Sequence, residues 1–173
     1  MNIIYCTPDR HASQILEIFN ETILTSTALF DYVPRPPESM VSWFKAKENG
    51  NFPVIGVESL EGQLLGFASY GTFRAWPAYK YSVEHSVYVH KDYRGKGIGR
   101  LLMKELIAAA QDQGYHVLIG GIEATNAGSI ALHESLGFTH VGTIRQAGFK
   151  FGRWLDLSLY QLILQTPANP SDG

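Results

Sequence analysis

Disulfide chemistry is closed to this chain, because its 173 residues contain one cysteine, Cys6, which can form neither an internal bridge nor a Cys-based zinc site. A lone thiol favours a reducing compartment, and with no motif around it Cys6 reads as a free thiol beside a first strand rather than as a nucleophile. Long apolar runs are missing too: nothing approaches the roughly 18 residues that span a bilayer. Residues 1–11 lack the basic start and apolar stretch of a signal peptide, so a cytoplasmic protein with no membrane partner is expected. Charge of one sign is also scarce. Fourteen Lys and Arg against 16 Asp and Glu give a formal net charge of -2. Nucleic-acid binders usually carry a strongly basic field, so no nucleic-acid partner is expected and any bound anion must be held by a local cluster. The interior shows no repeat, linker or low-complexity tract.

What is present supports one packed core. Hydrophobic residues make up 45% of the chain against 17% charged, a balance that argues against disorder. The length fits a single domain, placed at residues 1–165, followed by a flexible tail over 166–173. Asn2 to Cys6 reads as a strand, and Ile15, Ile18 and Phe19 recur at helical spacing after Thr7-Pro8-Asp9. A loop from Thr25 to Pro37 carries Phe30 and Tyr32, and Pro36-Pro37-Glu38 opens a second helix bearing Trp43 and Phe44. Val54–Glu58 and Leu64–Tyr70 form a hairpin pattern, and Tyr81–Val89 is another strand. A helix then carries Ile98, Leu101, Leu102, Leu106 and Ala109 on one stripe and closes at Gly114. Val117–Ile122 is a strand, Asn126–Leu136 a helix with Gly137 after it, and Thr139–Ile144 and Leu155–Leu164 are two last strands, joined through Gly148 and Gly152. The order predicts a mixed α/β (α+β) layer structure, too hairpin-rich for a doubly wound parallel sheet.

The segment Arg94-Gly95-Lys96-Gly97-Ile98-Gly99-Arg100 sits between a strand and a helix. Helix starts leave backbone N–H groups without intrahelical partners, and glycines let a phosphate approach them closely. Arg94, Lys96 and Arg100 supply the local positive charge that the overall composition lacks, which suggests a pyrophosphate ligand. A Walker A loop is excluded because Gly97, not Ser or Thr, follows Gly95-Lys96. A dinucleotide fingerprint is excluded because position 100 is Arg.

The remaining pattern, Arg/Gln-x-x-Gly-x-Gly/Ala after a strand, resembles the acetyl-CoA motif of the GNAT N-acetyltransferase superfamily. Asn126 through Leu136-Gly137-Phe138 is similar to that superfamily's second landmark. Phe67-Ala68-Ser69-Tyr70-Gly71, the run Val83 to Val89, and Gly148 to Asp156 resemble its phosphinothricin and methionine sulfoximine acetyltransferase branch. The resemblance covers about residues 2 to 164 and implies the acyl-CoA N-acyltransferase fold, a central, mostly antiparallel twisted sheet flanked by helices. It implies acetyl-CoA as cosubstrate, no metal, and a homodimer. The expected activity is acetyl transfer to the α-amino group of phosphinothricin, L-methionine sulfoximine or L-methionine sulfone by direct attack, giving detoxification or herbicide resistance.

The site residues follow from pattern and resemblance together. Glu84 is a lone carboxylate in an apolar strand, a pattern that by itself suits a surface-facing position, and the resemblance makes it the expected base; His133 is the candidate acid at a helix position where many GNAT enzymes place a Tyr. The resemblance places the cofactor against the backbone of Val87, Tyr88 and Val89, the pyrophosphate against Arg94, Gly95, Lys96, Gly97, Ile98, Gly99 and Arg100, and a further contact at Asn126, itself a good helix N-cap. Substrate contacts are expected at Phe30, Arg74, Ala75, Trp76, Glu84, His85 and Ser86, with Arg74 pairing to a carboxylate. Other acceptors stay open: a protein N-terminus, or a polyamine or aminoglycoside, although these cations suit an acidic cleft better than Arg74. A non-catalytic acyl-CoA sensor would use the same glycine turn.

Overall fold

The computed structural model describes residues 1–173. Seven strands hydrogen-bond in the order β1-β2-β3-β4-β5-β7-β6: β1 Asn2–Tyr5, β2 Val54–Glu58, β3 Leu64–Thr72, β4 Ser82–Val89, β5 Val117–Glu123, β6 Thr139–Lys150 and β7 Arg153–Ile163. Four helices accompany them: α1 Pro8–Thr25, α2 Ser39–Asn49, α3 Ile98–Asp112 and α4 Ala127–Glu134. β4 and β5 run parallel, while β1–β2, β2–β3, β5–β7 and β6–β7 are antiparallel. This is the mixed, mostly antiparallel sheet that the sequence predicts. The chain divides into two compact units, Met1–Tyr70 with Ser86–Leu106, and Gly71–His85 with Ile107–Gly173.

In the first unit, α1 begins at Pro8, where a missing N–H costs nothing. The Thr7 N–H is accepted by His11 Nδ1 at 2.9 Å, so a ring nitrogen one turn in does the work of a capping carboxylate. The helix buries Ile15, Ile18, Phe19 and Ile23, and the first three pack with Met40, Phe44, Val54, Leu64 and Phe67. Each of these large side chains contributes about 1.5–3 kcal/mol by leaving water. Phe19 is the hub, edge-on to Trp43 at 5.6 Å, Phe67 at 5.1 Å and Tyr88 at 5.3 Å. The Tyr88 side chain packs on this aromatic cluster, because strand alternation turns it to the apolar face.

In the second unit, β6 and β7 form a longer hairpin than the sequence pattern suggests. Pairing continues to Lys150↔Arg153, and the turn is Phe151 (φ 50) and Gly152 (φ 73), the doubly positive geometry of a two-residue hairpin. The predicted connection between the strands is a bulge between Ile144 and Gly148, where the Gln146 N–H donates to Asp156 Oδ1 at 2.7 Å. Residues 166–173, expected as a flexible tail, hydrogen-bond back onto the unit. Thr166 O lies 2.7 Å from His116 Nδ1, Thr166 Oγ1 donates to Tyr115 O, and the Ser171 N–H donates to the Tyr81 hydroxyl at 3.1 Å.

Candidate active site

The glycine turn lies in the first unit, directly after β4 and a short 3₁₀ turn over Lys91–Tyr93. Gly95 and Gly97 have φ of +75° and +81°, conformations that L side chains rarely adopt. A side chain at either position would project into open space. Leu101 N–H bonds Gly97 O at 3.1 Å, so Gly97 is the cap of α3 and the N–H groups of Ile98 and Gly99 lie in its first turn, without intrahelical acceptors. The helix dipole adds positive potential there, and an anion of pyrophosphate geometry fits this cradle.

The basic side chains of the turn are arranged differently from the expectation that they face phosphate. Arg94 Nη2 donates to Glu21 Oε2 at 2.5 Å and its Nε donates to Val89 O at 3.2 Å, which turns the guanidinium toward α1. Lys96 Nζ donates to Asp92 O at 3.0 Å and lies 4.8 Å from the centre of the Tyr93 ring. The glycine turn therefore offers chiefly backbone donors. Glu21 was not legible as a partner, because nothing in the sequence links positions 21 and 94.

The second unit holds the carboxylate. Along β4, Glu84 faces solvent and His85 the interior, as strand alternation requires. The β4–β5 ladder runs from Ser82↔Val117 to Glu84↔Ile119, leaving that edge of Ser86–Val89 outside it. Glu84 is open to water on one side yet has enough protein around it that loss of hydration raises its carboxyl above the usual range, and the positive charge of Arg74 opposes this in part. Arg74, Ala75 and Trp76 are all exposed on the loop after β3, with the Arg74 guanidinium 5.1 Å from the Phe73 ring centre. In the first unit Phe30 is partly open and Ser86 half-buried.

Two expected roles are corrected by burial. His85 cannot line an acceptor site directly, since it is buried and its Nε2 lies 2.8 Å from His133 Nε2. His133 is buried as well and its Nδ1 lies 2.7 Å from Ser129 O, so both its nitrogens are engaged and a proton-donor role does not fit. Burial pushes the His85 pKa down to about 3, with the neighbouring His133 adding to the effect, and burial lowers His133 too. Asn126 caps α4, its Oδ1 accepting the Ser129 N–H at 3.1 Å. Cys6 is held inert, its thiol pushed up to about 12 by burial and by the charge of Glu58.

Gly120 and Gly121, adjacent in β5, leave the backbone bare beside His85 and Glu84. A Cβ on Gly120 would sit 3.0 Å from His85 Cε1 and 3.2 Å from its Nε2, and one on Gly121 would sit 3.3 Å from Leu157 Cδ1 and 3.5 Å from Glu84 Oε1. The signal was available: paired glycines inside a strand mark a place where something approaches the backbone closely.

A mixed seven-stranded sheet of this order and a glycine turn capping α3 suit an acyl-CoA-dependent transferase. Residues 15–138 match the acetyltransferase (GNAT) family, and the chain belongs to that family. It is 43% identical over 156 residues to an L-methionine sulfoximine/L-methionine sulfone acetyltransferase of Salmonella typhimurium, covering 90% of this chain and 91% of that one. Among solved structures, an acetyltransferase of Acinetobacter baylyi ADP1 superposes with a TM-score of 0.98 at 60% identity, over 99% of this chain and 96% of that one. A phosphinothricin acetyltransferase of Sinorhizobium meliloti in complex with acetyl-CoA superposes at 0.93 with 32% identity, over 99% and 94%.

Proposed function

We propose that this enzyme transfers the acetyl group of acetyl-CoA to the α-amino group of a small amino acid with a polar tetrahedral head, such as L-methionine sulfone, L-methionine sulfoximine or phosphinothricin. The observation that carries the reading is Glu84: a solvent-facing carboxylate with raised proton affinity, under the charge of Arg74 and beside the bare backbone of Gly121. The names of the relatives support the acceptor class.

When bound, acetyl-CoA supplies the activated thioester. The N–H groups of Gly95, Gly97, Ile98 and Gly99 hold its pyrophosphate, and the backbone of Val87 and Val89 holds its arm. Arg74 fixes the acceptor carboxylate, which suits an amino acid rather than a polycation. Glu84 takes one proton from the ammonium group and releases it to water, so that the neutral nitrogen attacks the acyl carbon directly, and the second proton that the nitrogen sheds as the tetrahedral intermediate collapses goes to the departing thiolate. No residue forms an acyl intermediate, consistent with the inert Cys6. The reading includes a homodimer, supported by exposed Val141, Ile144 and Phe149 on the edge strand β6.

The test is thiol release from acetyl-CoA with the three amino acids and with unrelated amines. Wild type should turn over only the amino acids, and Glu84→Gln should lose about 100- to 10,000-fold in kcat, the usual range for a general base. Turnover of polyamines or peptides instead would replace the acceptor class, and an unimpaired Glu84→Gln would remove the base.

A further inference from the structure

One face of the second unit's sheet carries more chemistry than Glu84. Cross-strand pairing of Glu84 with Ile119, Gly121 with Leu159 and Glu123 with Leu157 turns these positions to the same side. Gly121 is exposed, and Leu157 and Leu159 are partly open to water. The point where a Cβ on Gly121 would stand lies 3.3 Å from Leu157 Cδ1 and 3.5 Å from Glu84 Oε1. The floor beside the carboxylate is thus bare backbone walled by leucine, a surface that suits the methylenes of an acceptor rather than a charged group.

Glu123 stands at the end of this floor, two residues beyond Gly121 and so about 7 Å further along β5. It is buried, its Oε2 accepts from the Thr125 hydroxyl at 2.5 Å, and Arg153 Nη1 stands 3.8 Å from its Oε1. That gap is too long for a hydrogen bond, so the carboxylate aims the guanidinium by charge and leaves its N–H donors for a ligand. The Arg153 side chain is 48% exposed against 1% for Glu123, so of the two the arginine is the one a ligand reaches. Lys150, which pairs with Arg153 across the hairpin turn, is buried as well, so this end of the face carries two cations against one carboxylate. In the amino acids proposed as acceptors, four bonds separate the nitrogen from the sulfur or phosphorus of the head, about 5 Å when extended. A nitrogen at Glu84 and a chain laid along the floor bring the oxygens of that head toward the Arg153 end.

We propose that Arg153 is a specificity-determining residue that binds the sulfonyl, sulfoximine or phosphinate oxygens of the acceptor's head, with Glu123 as the positioning residue that aims it. The inference rests on the preceding reading that Glu84 takes its proton from a small amino acid with such a head. Arg74 then holds the carboxylate at one end of the acceptor and Arg153 the head at the other, so an amino acid is read by its length as well as by its charge. A phosphinate is an anion and a sulfone is neutral, so the first should draw more from the guanidinium than the second.

The test is acetylation by the full chain of L-phosphinothricin, L-methionine sulfone and L-norleucine, the last a chain of similar length with no polar head, read as KM or, where turnover is slow, as the constant for inhibition of methionine sulfone acetylation. Arg153→Gln should raise the constant for phosphinothricin about 10- to 100-fold, the range of a hydrogen bond to a charged group, and that for methionine sulfone about 2- to 10-fold. Norleucine should move least. Arg153→Lys keeps the charge but not the fork, and should recover part of the phosphinothricin loss. Glu123→Gln keeps the shape of the positioning residue without its charge, and should reproduce the same order of effects at smaller size. Arg153 is exposed beside the hairpin turn, and Arg153→Lys gives the same ordering should Arg153→Gln fail to fold. Constants that rise equally for all three amino acids, as a purely structural role requires, or that do not rise at all, overturn the inference and leave the acceptor reading standing. A wild type that acetylates neither phosphinothricin nor methionine sulfone overturns the acceptor reading, and this inference with it.

Discussion

His85 and His133 meet ring nitrogen to ring nitrogen at 2.8 Å, and one arrangement of protons satisfies the contact. Ser129 O can only accept, so His133 carries its proton on Nδ1 and presents a bare Nε2, to which His85 donates from its own Nε2. Both rings are neutral, stacked at 5.1 Å and flanked by Phe138. A second proton on either ring would place a buried cation against its neighbour.

That neutrality predicts acid sensitivity. Both histidines have a lower pKa in the folded chain than the ordinary value of 6.5, His85 reaching about 3. The unfolded chain therefore binds more protons below 6.5, and stability that is complete above that value falls as pH drops toward 3. Each group contributes a slope of about 1.4 kcal/mol per pH unit within its window. Denaturant unfolding from pH 7.5 to 4.5 should show this loss, and His133→Gln, less stable at pH 7.5, should show a shallower one. Equal slopes in the two proteins would mean that the pair is not the acid-labile element.

Arg74 and Glu84 predict a second pH effect. Burial raises the Glu84 carboxyl and the Arg74 charge lowers it, so removing that charge leaves the raising cause unopposed. Arg74→Gln should shift the acid limb of kcat/KM to higher pH and also raise the acceptor KM. Arg74→Lys should restore the limb better than it restores KM, because a lysine keeps the charge but not the forked geometry. An unmoved limb in Arg74→Gln would show that the arginine does not act on the base.

The glycine turn supplies a cleaner separation of folding from binding at two positions. Gly95 and Gly97 both have positive φ with open space at the Cβ position, so alanine brings backbone strain of about 1–2 kcal/mol but no clash. Both variants should lose similar stability. Gly97→Ala, at the cap of α3, should raise the KM for acetyl-CoA more than its thermal shift accounts for, while the acceptor KM moves less. A change in thermal stability alone would take the pyrophosphate away from this turn.

Much of this was legible along the chain because it is local. The Gly95–Gly99 turn, the Asn126 cap and the opposite facing of Glu84 and His85 all follow from spacing within a few residues. What escaped depends on tertiary neighbours. The turning of Arg94 to Glu21 spans 73 positions, the pairing of His85 with His133 spans 48, and the inward packing of Tyr88 was decided by Phe19 and Phe67. Phe151-Gly152 is the intermediate case: a turn signal was present, but the bulge at Ile144–Gly148 broke the alternation that would have extended β6.

Gly120 and Gly121 test whether the two faces of β5 serve different purposes. On one face, a methyl group at 120 would press on the His85 ring at 3.0 Å, closer than packed carbon atoms ordinarily lie. Gly120→Ala should therefore cost stability, about 1–3 kcal/mol as an overpacked core position, with kcat reduced little once the protein is folded. On the other face, a methyl at 121 stands 3.5 Å from Glu84 Oε1, ordinary contact that removes water from the carboxylate rather than displacing it. Gly121→Ala should keep most of its stability while the acid limb of kcat/KM moves up, since further loss of hydration raises the carboxyl again. Measured together by thermal unfolding and pH-rate profiles, the two variants should give opposite patterns. If both lost stability and neither moved the limb, the adjacent glycines would be serving strand packing alone and the environment of Glu84 would have to be set from β4 and Arg74.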